Sequence, residues 1–188
     1  ITPFKKKSFK KNNEIINIIW VGRLSREKSL ETLIYAVDKL KKEKINIKIF
    51  GDGPKKKNYL NTINRLGLNK KIKFFGYKNN INNFLKNSDL YVGTSLYEGF
   101  QNSIIEAINN DVPVISTNSF GGVKDILKKN KFGHSYEAKD YNSLSKLIKK
   151  FIINPKPFID KTKLAKKNLK KFEFHKTNHK YENIFDKI

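Results

Sequence analysis

The amino-acid sequence predicts an α/β fold built on an open, doubly wound parallel sheet. Short apolar runs rich in β-branched residues alternate with longer segments of helical periodicity. Glycines follow several of these runs, and the runs are too apolar for a sheet with one solvated face. Strands and helices that alternate in this way are typical of a parallel sheet covered by helices on both faces.

The first half of the chain predicts three strands with helices between them. Residues 15–21 form the first strand, and Ser29 is expected to cap a helix by accepting a hydrogen bond from its first turn. The apolar positions of this helix recur at helical spacing: Leu30, Leu33, Ile34, Val37 and Leu40. Residues 45–50 form the second strand, and Gly67 closes the following helix at residues 55–66. Residues 72–75 form the third strand.

The second half repeats the pattern. A short helix at residues 81–86 leads to a fourth strand at 90–92, and Asn102 or Ser103 is expected to cap the helix after it. The remaining elements are a fifth strand at 112–117, a short helix ending at Leu127, a short strand at 133–136, and helices at 141–152, 158–170 and 175–188.

Composition limits the class of protein. The 188 residues include no cysteine, which excludes disulfides and thiolate metal sites. No apolar run reaches the length of about eighteen residues that a membrane-spanning helix needs. The expected location is the cytoplasm. Residues 1–14 are interpreted as a basic arm or linker.

The formal charge of +23 raises the question of an anionic partner. Only Arg23, Arg26 and Arg65 are arginines, whereas proteins that recognise nucleic acids favour arginine for its bidentate contacts. Lysines spread through nearly every segment favour solvated helix faces, so no nucleic-acid partner is expected. A basic module that binds nucleic acid or an anionic surface remains the alternative. The field would also attract anionic substrates and an anionic membrane surface.

Two cations follow the first predicted strand, at the sheet edge where doubly wound folds bind ligands. Gly22 and Arg23 come directly after the strand, and Lys28 precedes the first helix. Two cations beside a helix N-terminus suit a diphosphate, although each could be an ordinary surface cation. The chain has neither the P-loop nor the dinucleotide glycine fingerprint.

Two glutamates follow the fourth predicted strand. Glu98 lies in a turn beside Gly99, where its carboxylate could accept hydrogen bonds from hydroxyl groups of a transferred group. Glu106 lies in the helix that follows and could hold a ribose diol. In isolation, a surface glutamate favoured by the helix dipole is the commoner case.

Other catalytic chemistries have no motif in this sequence. The histidines His134, His175 and His179 are dispersed, and no D-x-D pair would hold a divalent metal. No serine lies in a G-x-S-x-G elbow. A sugar-phosphate epimerase on a related sheet is a third alternative, but it would need a histidine or carboxylate pair in the cleft.

Six motifs in order carry a family resemblance. They are Gly22-Arg23-Leu24-x-x-x-Lys28, Gly51-Asp52-Gly53, Gly76-Tyr77, Ser95-x-x-Glu98-Gly99-Phe100 with Glu106-Ala107, Pro113-Val114-Ile115-Ser116, and Gly121-Gly122. In this order they resemble the C-terminal, nucleotide-sugar-binding domain of the group-4 family of retaining GT-B glycosyltransferases. The resemblance covers residues 15–153 and extends into the tail.

The resemblance implies a Rossmann-like domain that is one half of a GT-B fold. It implies metal-independent transfer of a hexose or N-acetylhexosamine, with retention, from a nucleoside diphosphate sugar. UDP is the favoured nucleotide, and the acceptor is a growing surface glycan or a lipid-linked glycan of bacterial lipopolysaccharide or capsule. No enzymic nucleophile is implied, because the leaving phosphate assists attack from the same face.

The family pattern also implies roles at matching positions. Arg23 and Lys28 would neutralise the departing diphosphate, and Glu98 would hold the sugar; these three are the candidate catalytic residues. The candidate substrate-binding residues line the nucleotide and sugar sites: Gly22, Gly53, Tyr77, Lys78, Gly99, Phe100, Gln101, Asn102 and Glu106. Tyr77 and Lys78 would line the base pocket, and Glu106 would hold the ribose.

Four substitutions and one absence depart from the family pattern; Gln101, Lys124 and Asp125 remove no charge that the chemistry needs. Ser29 stands where glycine is common, which is expected to be harmless at a helix cap. The N-terminal domain that binds the acceptor is missing, and residues 154–188 would pack on it. The fragment is therefore expected to be inactive alone, and the complete enzyme could attach peripherally to the inner face of the cytoplasmic membrane.

Overall fold

The computed structural model describes residues 15–97, 101–118, 122–128 and 130–169. Within these ranges the chain forms a six-stranded, fully parallel sheet in the order β3-β2-β1-β4-β5-β6. This confirms the predicted doubly wound sheet. The order reverses beside β1, which pairs with β2 on one side and β4 on the other. Ligands bind such sheets at this switch point, beyond the carboxyl ends of the strands.

The strands and helices alternate along the chain. The strands are β1 (Ile16–Val21), β2 (Ile45–Phe50), β3 (Ile72–Phe74), β4 (Leu90–Val92), β5 (Val114–Thr117) and β6 (His134–Tyr136). The helices are α1 (Leu30–Asp38), α2 (Lys56–Arg65), α3 (Asn82–Lys86), α4 (Asn102–Asn109), α5 (Val123–Leu127), α6 (Tyr141–Ile153) and α7 (Lys156–Leu169). None of the helices in the described ranges is long and apolar enough to cross a membrane.

One face of the sheet packs against α1, α2 and α6. Ile18 and Trp20 of β1 point to this face, together with Ile47 and Ile49 of β2. The predicted apolar stripe of α1 is buried against them, and its residues are at most 4% exposed: Leu30, Leu33, Ile34, Val37 and Leu40. Burial of these side chains is the main driving force for the layer.

The opposite face packs against α3, α4, α5 and α7. Ile19 of β1 and Tyr91 of β4 point to this face, because successive side chains of a strand alternate between faces. Ile104, Ala107 and Ile108 of α4 are fully buried in the same cluster. The two clusters together make this a sheet with an apolar core on each side.

The fifth strand begins later than predicted, at Val114 rather than residue 112. The N–H group of Val112 donates to the carbonyl of Ala107 at 2.9 Å, so it closes the end of α4 and takes no part in the sheet. Pro113 has no N–H group to donate, although its carbonyl accepts from Tyr91 at 2.8 Å.

The helix α7 packs on this domain. Phe158 and Ala165 are buried in the two core clusters, and Lys166 lies 2.5 Å from Asp111 in the turn between α4 and β5. The expectation that residues 154–188 pack on an N-terminal domain stays a prediction. Residues 1–14 and 170–188, including the predicted last helix, lie outside the described residues.

The ion pair between Lys166 and Asp111 gives a test of this packing. The two side chains are only 8% and 11% exposed. Asp111→Asn keeps a residue that tolerates the positive φ of 63° at this position and removes the negative charge. Because Lys166 stays buried without this counter-charge, we expect the free energy of unfolding to fall by about 3 kcal/mol.

Urea denaturation would measure this loss. The matched control is Asp160→Asn, which removes an exposed carboxylate paired with Lys156 on the outer side of α7. That change is expected to cost less than about 1 kcal/mol. Equal losses in the two variants would contradict a stabilising role for the buried pair.

Candidate functional site

A pocket of about 420 Å³ lies at the carboxyl ends of β1, β2 and β3. Its lining residues are Val21, Gly22, Arg23, Phe50, Gly51, Asp52, Tyr77, Lys78 and Ile81. Four of the predicted site residues are therefore brought together: Gly22, Arg23, Tyr77 and Lys78. The residues come from three loops that are separated in sequence but follow neighbouring strands.

Aromatic rings form one wall of the pocket. Phe50 is 1% exposed and stacks on Phe75 with ring centroids 5.1 Å apart, and its ring also contacts Phe84 at 4.6 Å. Tyr77 at the rim is 72% exposed. An exposed ring beside an apolar wall suits a flat, partly polar group such as a nucleobase.

The loops after β1 and β2 lie in direct contact. Gly51 has a φ of 138°, and a Cβ atom there would lie 1.8 Å from the carbonyl oxygen of Gly22. A Cβ atom on Gly53 would lie 2.6 Å from the carbonyl oxygen of Leu24. Gly53 does not line the pocket, so in the described structure its role is to admit the neighbouring loop.

Backbone hydrogen bonds hold these two loops together. The N–H group of Gly22 donates to Phe50 at 3.0 Å, and that of Leu24 donates to Asp52 at 2.9 Å. The Leu24 carbonyl in turn accepts from Lys55 at 2.8 Å. The path of the chain around Arg23 is therefore fixed by β2 and its loop.

Arg23 and Lys28 both act on the carboxylate of Glu27. The pKa of Glu27 is lowered chiefly by a hydrogen bond from the Ser25 hydroxyl group and next by its own backbone N–H group. The positive charges of Arg23 and Lys28 lower the pKa further. Both predicted cations therefore lie near enough to Glu27 to lower the pKa of its carboxylate. Of the two, only Arg23 lines the pocket.

A buried chain of hydrogen bonds fixes the backbone at Lys28. The indole Nε1 of Trp20 donates to Thr94 Oγ1 at 2.9 Å, and this hydroxyl group donates to the Lys28 carbonyl at 2.5 Å. The N–H group of Leu96 donates to the Glu27 carbonyl at 2.8 Å. The loop after β4 therefore holds the loop after β1 in place.

Tyr59 of α2 supports the same loop from the other side. Its hydroxyl group donates to the Ser25 carbonyl at 3.0 Å. Burial, and next the negative charge of Glu31, raise the pKa of Tyr59 well above its usual value. The hydroxyl group therefore stays protonated and remains a donor. Neither Tyr59 nor Thr94 was recognised from the sequence.

Ser29 does not cap α1 as predicted. The residue has a φ of 46°, in the left-handed region, and its side chain makes no capping hydrogen bond. Its hydroxyl group instead shares a hydrogen bond with Thr32 Oγ1 at 3.0 Å. Serine was expected to be harmless here because it would cap the helix, and that reason is wrong. Residue 29 has a left-handed backbone conformation, which glycine adopts without strain.

The predicted cap of α4 was also wrong. The helix begins at Asn102, and the residue at the cap position is Gln101, which makes no side-chain capping hydrogen bond. Gln101 is 4% exposed; its Nε2 donates to Tyr91 at 3.1 Å, and its Oε1 accepts from Ser116 at 3.4 Å. Its side chain thus fastens the start of α4 to the sheet and does not line the described pocket.

The remaining predicted site residues are placed less completely. Glu98, Gly99 and Phe100 lie outside the described residues. Glu106 and Asn102 are exposed on α4 and do not line the pocket. Among the described residues, no hydrogen bond or ion pair engages the Glu106 carboxylate.

The pocket also contains residues to which the sequence analysis assigned no role in the site. Val21 and Phe50 are the last residues of their strands, and Asp52 is the second residue after β2. The Asp52 carboxylate accepts from Lys56 at 3.0 Å and from the N–H group of Gly53 at 2.8 Å; Lys56, and next Gly53, lower its pKa. Their position at or just beyond the ends of strands is the sequence signal that could have identified them as pocket residues.

Comparison with protein families gives a match over most of the chain. A family model described as "Glycosyl transferases group 1" matches residues 2–172. An uncharacterized glycosyltransferase of Methanocaldococcus jannaschii is 34% identical over 187 residues. The match covers 93% of this chain and 45% of that protein.

A second relative carries a more specific name. It is the N-acetylgalactosamine-N,N'-diacetylbacillosaminyl-diphospho-undecaprenol 4-alpha-N-acetylgalactosaminyltransferase of Campylobacter jejuni, which is 29% identical over 151 residues. The match covers 80% of this chain and 40% of that enzyme. The chain therefore spans less than half the length of both relatives.

Solved structures share the fold. HepE of Anabaena in complex with UDP superposes with a TM-score of 0.83 at 21% identity, covering 93% of this chain and 49% of HepE. A TarM mutant of Staphylococcus aureus, in a complex that includes UDP, also has a TM-score of 0.83, at 24% identity. That match covers 94% of this chain and 38% of TarM.

The contact between Gly51 and Gly22 gives a test of how the pocket is built. Gly51→Ala puts a methyl group against the Gly22 carbonyl, so we expect a loss of more than about 2 kcal/mol of stability. Gly67→Ala is the matched control, because Gly67 has a φ of 67° but no atom within 4 Å of its added Cβ. Its cost is limited to backbone strain of about 1 kcal/mol. Thermal denaturation giving equal losses would contradict the steric explanation.

The conformation of Ser29 gives a second test. Ser29→Ala and Ser29→Gly both remove the hydroxyl group that meets Thr32, but only glycine relieves the left-handed strain. We expect the glycine variant to be more stable than the alanine variant by about 1 kcal/mol. Denaturant unfolding of both proteins measures the difference, and an alanine variant of equal or greater stability would refute it.

Proposed function

Since this chain belongs to the group 1 family of glycosyl transferases, we propose that it is the donor-binding domain of a retaining glycosyltransferase. It binds a nucleoside diphosphate sugar, with UDP as the nucleotide, and presents a hexose or N-acetylhexosamine for transfer. The acceptor is a growing surface glycan or a lipid-linked glycan. The domain corresponds to one half of a GT-B fold.

The pocket at the carboxyl ends of β1, β2 and β3, which we call the donor pocket, carries this proposal. It combines an apolar wall at Phe50, an exposed ring at Tyr77 and a cation at Arg23 within about 420 Å³. A nucleobase suits the wall and the ring, and a diphosphate suits the cation.

In the proposed reaction, the bond between the sugar anomeric carbon and the diphosphate oxygen breaks, and its electron pair stays on the phosphate. The acceptor hydroxyl oxygen bonds to the same carbon from the same face. Its proton passes to the departing phosphate, so no enzymic nucleophile is needed. Arg23 and Lys28 stabilise the negative charge that develops on the leaving group.

The two glutamates divide the rest of the donor between them. Glu106 holds the ribose diol, and its exposed carboxylate without a partner among the described residues supports this role. Glu98 holds hydroxyl groups of the transferred sugar. The backbone N–H groups of Phe100, Gln101 and Asn102 meet the sugar or the diphosphate at the start of α4.

The names of related proteins support the choice of donor. HepE and TarM have been solved with UDP. The Campylobacter relative is named for transfer of N-acetylgalactosamine to an undecaprenol-linked acceptor. Both observations favour a UDP-linked hexosamine or hexose and a lipid-linked acceptor for this chain.

We further propose that the transfer needs no metal ion, since the cations of the protein can neutralise the diphosphate. The acceptor is bound mainly by an N-terminal domain, and this chain alone does not turn over. The complete enzyme works in the cytoplasm, at the inner face of the cytoplasmic membrane.

UDP binding to the 188-residue chain tests the proposal. We expect calorimetry in buffer containing EDTA to detect binding, and Arg23→Gln to weaken it by roughly tenfold because a charged hydrogen-bond donor is lost. Glu106→Gln is expected to weaken the binding of UDP more than the binding of uracil. Arg65→Gln at the exposed end of α2 is the matched control and should leave the affinity unchanged.

Amide NMR spectra locate the binding. Shifts confined to the loops at residues 22–28 and 76–81 and to the start of α4 would support the proposal. Absence of heat with UDP, together with unchanged spectra in those three segments, would refute it. Binding that appears only when Mg²⁺ is added would refute the metal-independent part alone.

A further inference from the structure

A second pocket, of about 190 Å³, lies on the sheet beside the edge strand β3. It is lined by Asn46, Ile47, Lys48, Lys70, Lys71, Lys73 and Phe75. Four of its seven residues are lysines, and none is a carboxylate. We call it the lysine pocket.

Strand register places two of these lysines side by side. Lys48 of β2 pairs with Lys73 of β3, so their side chains leave the same face of the sheet from adjacent strands. Like charges directly opposite each other on a sheet destabilise it. An anion bound between these two side chains would offset the repulsion.

The face of β2 that carries Lys48 is unusually polar for a doubly wound sheet. On one side of β2, Ile45, Ile47 and Ile49 are each at most 2% exposed. On the other side, Asn46 and Lys48 are only half-buried, and Lys73 of the neighbouring strand is exposed. Strands of such sheets are normally apolar on both faces because helices cover both. This stretch is polar where a helix would normally pack.

Within the described ranges the protein supplies no counter-charge. No carboxylate pairs with Lys48, Lys70 or Lys73. Lys71 donates to the backbone carbonyl of Glu43 at 2.6 Å, whereas the carboxylate of Glu43 lies 3.5 Å from Lys149. The ammonium groups each offer up to three N–H donors, which suit the several oxygens of a phosphoryl group.

We propose that the lysine pocket is a binding site for a phosphoryl group, separate from the donor pocket. The group comes either from the headgroup of an anionic phospholipid or from a soluble phosphate compound. The two pockets share no lining residue, but Phe50, which lines the donor pocket, stacks on Phe75, which lines the lysine pocket. The inference rests on this geometry and does not depend on the proposed transferase function.

The first arm of the test uses inorganic pyrophosphate and amide NMR spectra of the 188-residue chain. Residue-specific shifts separate binding at residues 46–48 and 70–75 from binding near Arg23. Lys48→Gln combined with Lys73→Gln is expected to weaken pyrophosphate binding at residues 46–48 and 70–75 by roughly tenfold or more, since charge-assisted hydrogen bonds are lost. Binding near Arg23 is expected to stay unchanged.

The second arm uses sedimentation with vesicles of phosphatidylcholine, with and without phosphatidylglycerol. The matched control carries Lys57→Gln and Lys167→Gln, which change the net charge equally on the exposed surfaces of α2 and α7. A further variant, with Lys48→Arg and Lys73→Arg, keeps both charges and is expected to retain binding. Circular dichroism establishes that each variant is folded.

The outcomes distinguish the sources and the alternative. Selective loss of pyrophosphate binding in the glutamine variant assigns the pocket to soluble phosphate compounds. Selective loss of phosphatidylglycerol-dependent sedimentation assigns it to lipid headgroups. Equal behaviour of the glutamine variant and the control in both arms overturns the proposal, because binding would then follow only the overall charge of +23.

Discussion

The close approach of two glycine loops determines the geometry of the donor pocket. Gly22 and Gly51 directly follow the neighbouring strands β1 and β2, and their backbones meet at a distance that leaves no room for a side chain at residue 51. Because the loops touch, Arg23 is held beside the aromatic wall that Phe50 forms. A residue larger than glycine at position 51 would clash with the Gly22 carbonyl oxygen and force the two loops to shift.

Buried polar groups extend this constraint across the sheet edge. Thr94 accepts from Trp20 and donates to Lys28, so one hydroxyl group joins β1, the loop after it and the loop after β4. Tyr136 of β6 donates to the Gly93 carbonyl at 3.0 Å, and Thr117 of β5 donates to the Ser95 carbonyl at 2.5 Å. Satisfying these groups internally avoids the cost of burying them unpaired and keeps the loops in one arrangement.

The fold was predictable because its signal is distributed over many residues, whereas the site depends on single contacts. Apolar runs and helical spacing located the strands and helices of the described ranges to within about two residues. Ser29 and Gln101 were misread, because residue type alone does not reveal a positive φ or a side chain turned into the core. Tyr59 and Thr94 support the loop after β1 through hydrogen bonds to residues that are 34 and 66 positions away in sequence. No local sequence pattern reveals such contacts.

The position of β1 at the centre of the sheet has a consequence for the order of folding. The nine residues that line the donor pocket lie between residues 21 and 81, at the ends of β1 and β2 or in the loops that follow β1, β2 and β3. Thr94, which fixes the backbone at Lys28, belongs to the second half, and β4 must close a long loop to reach β1. Since short loops close at lower entropic cost than long ones, the aromatic wall can assemble early, while the cationic loop acquires its final shape only after β4 docks. A nascent chain would therefore form the aromatic wall before the loop that carries Arg23 and Lys28 takes its final shape.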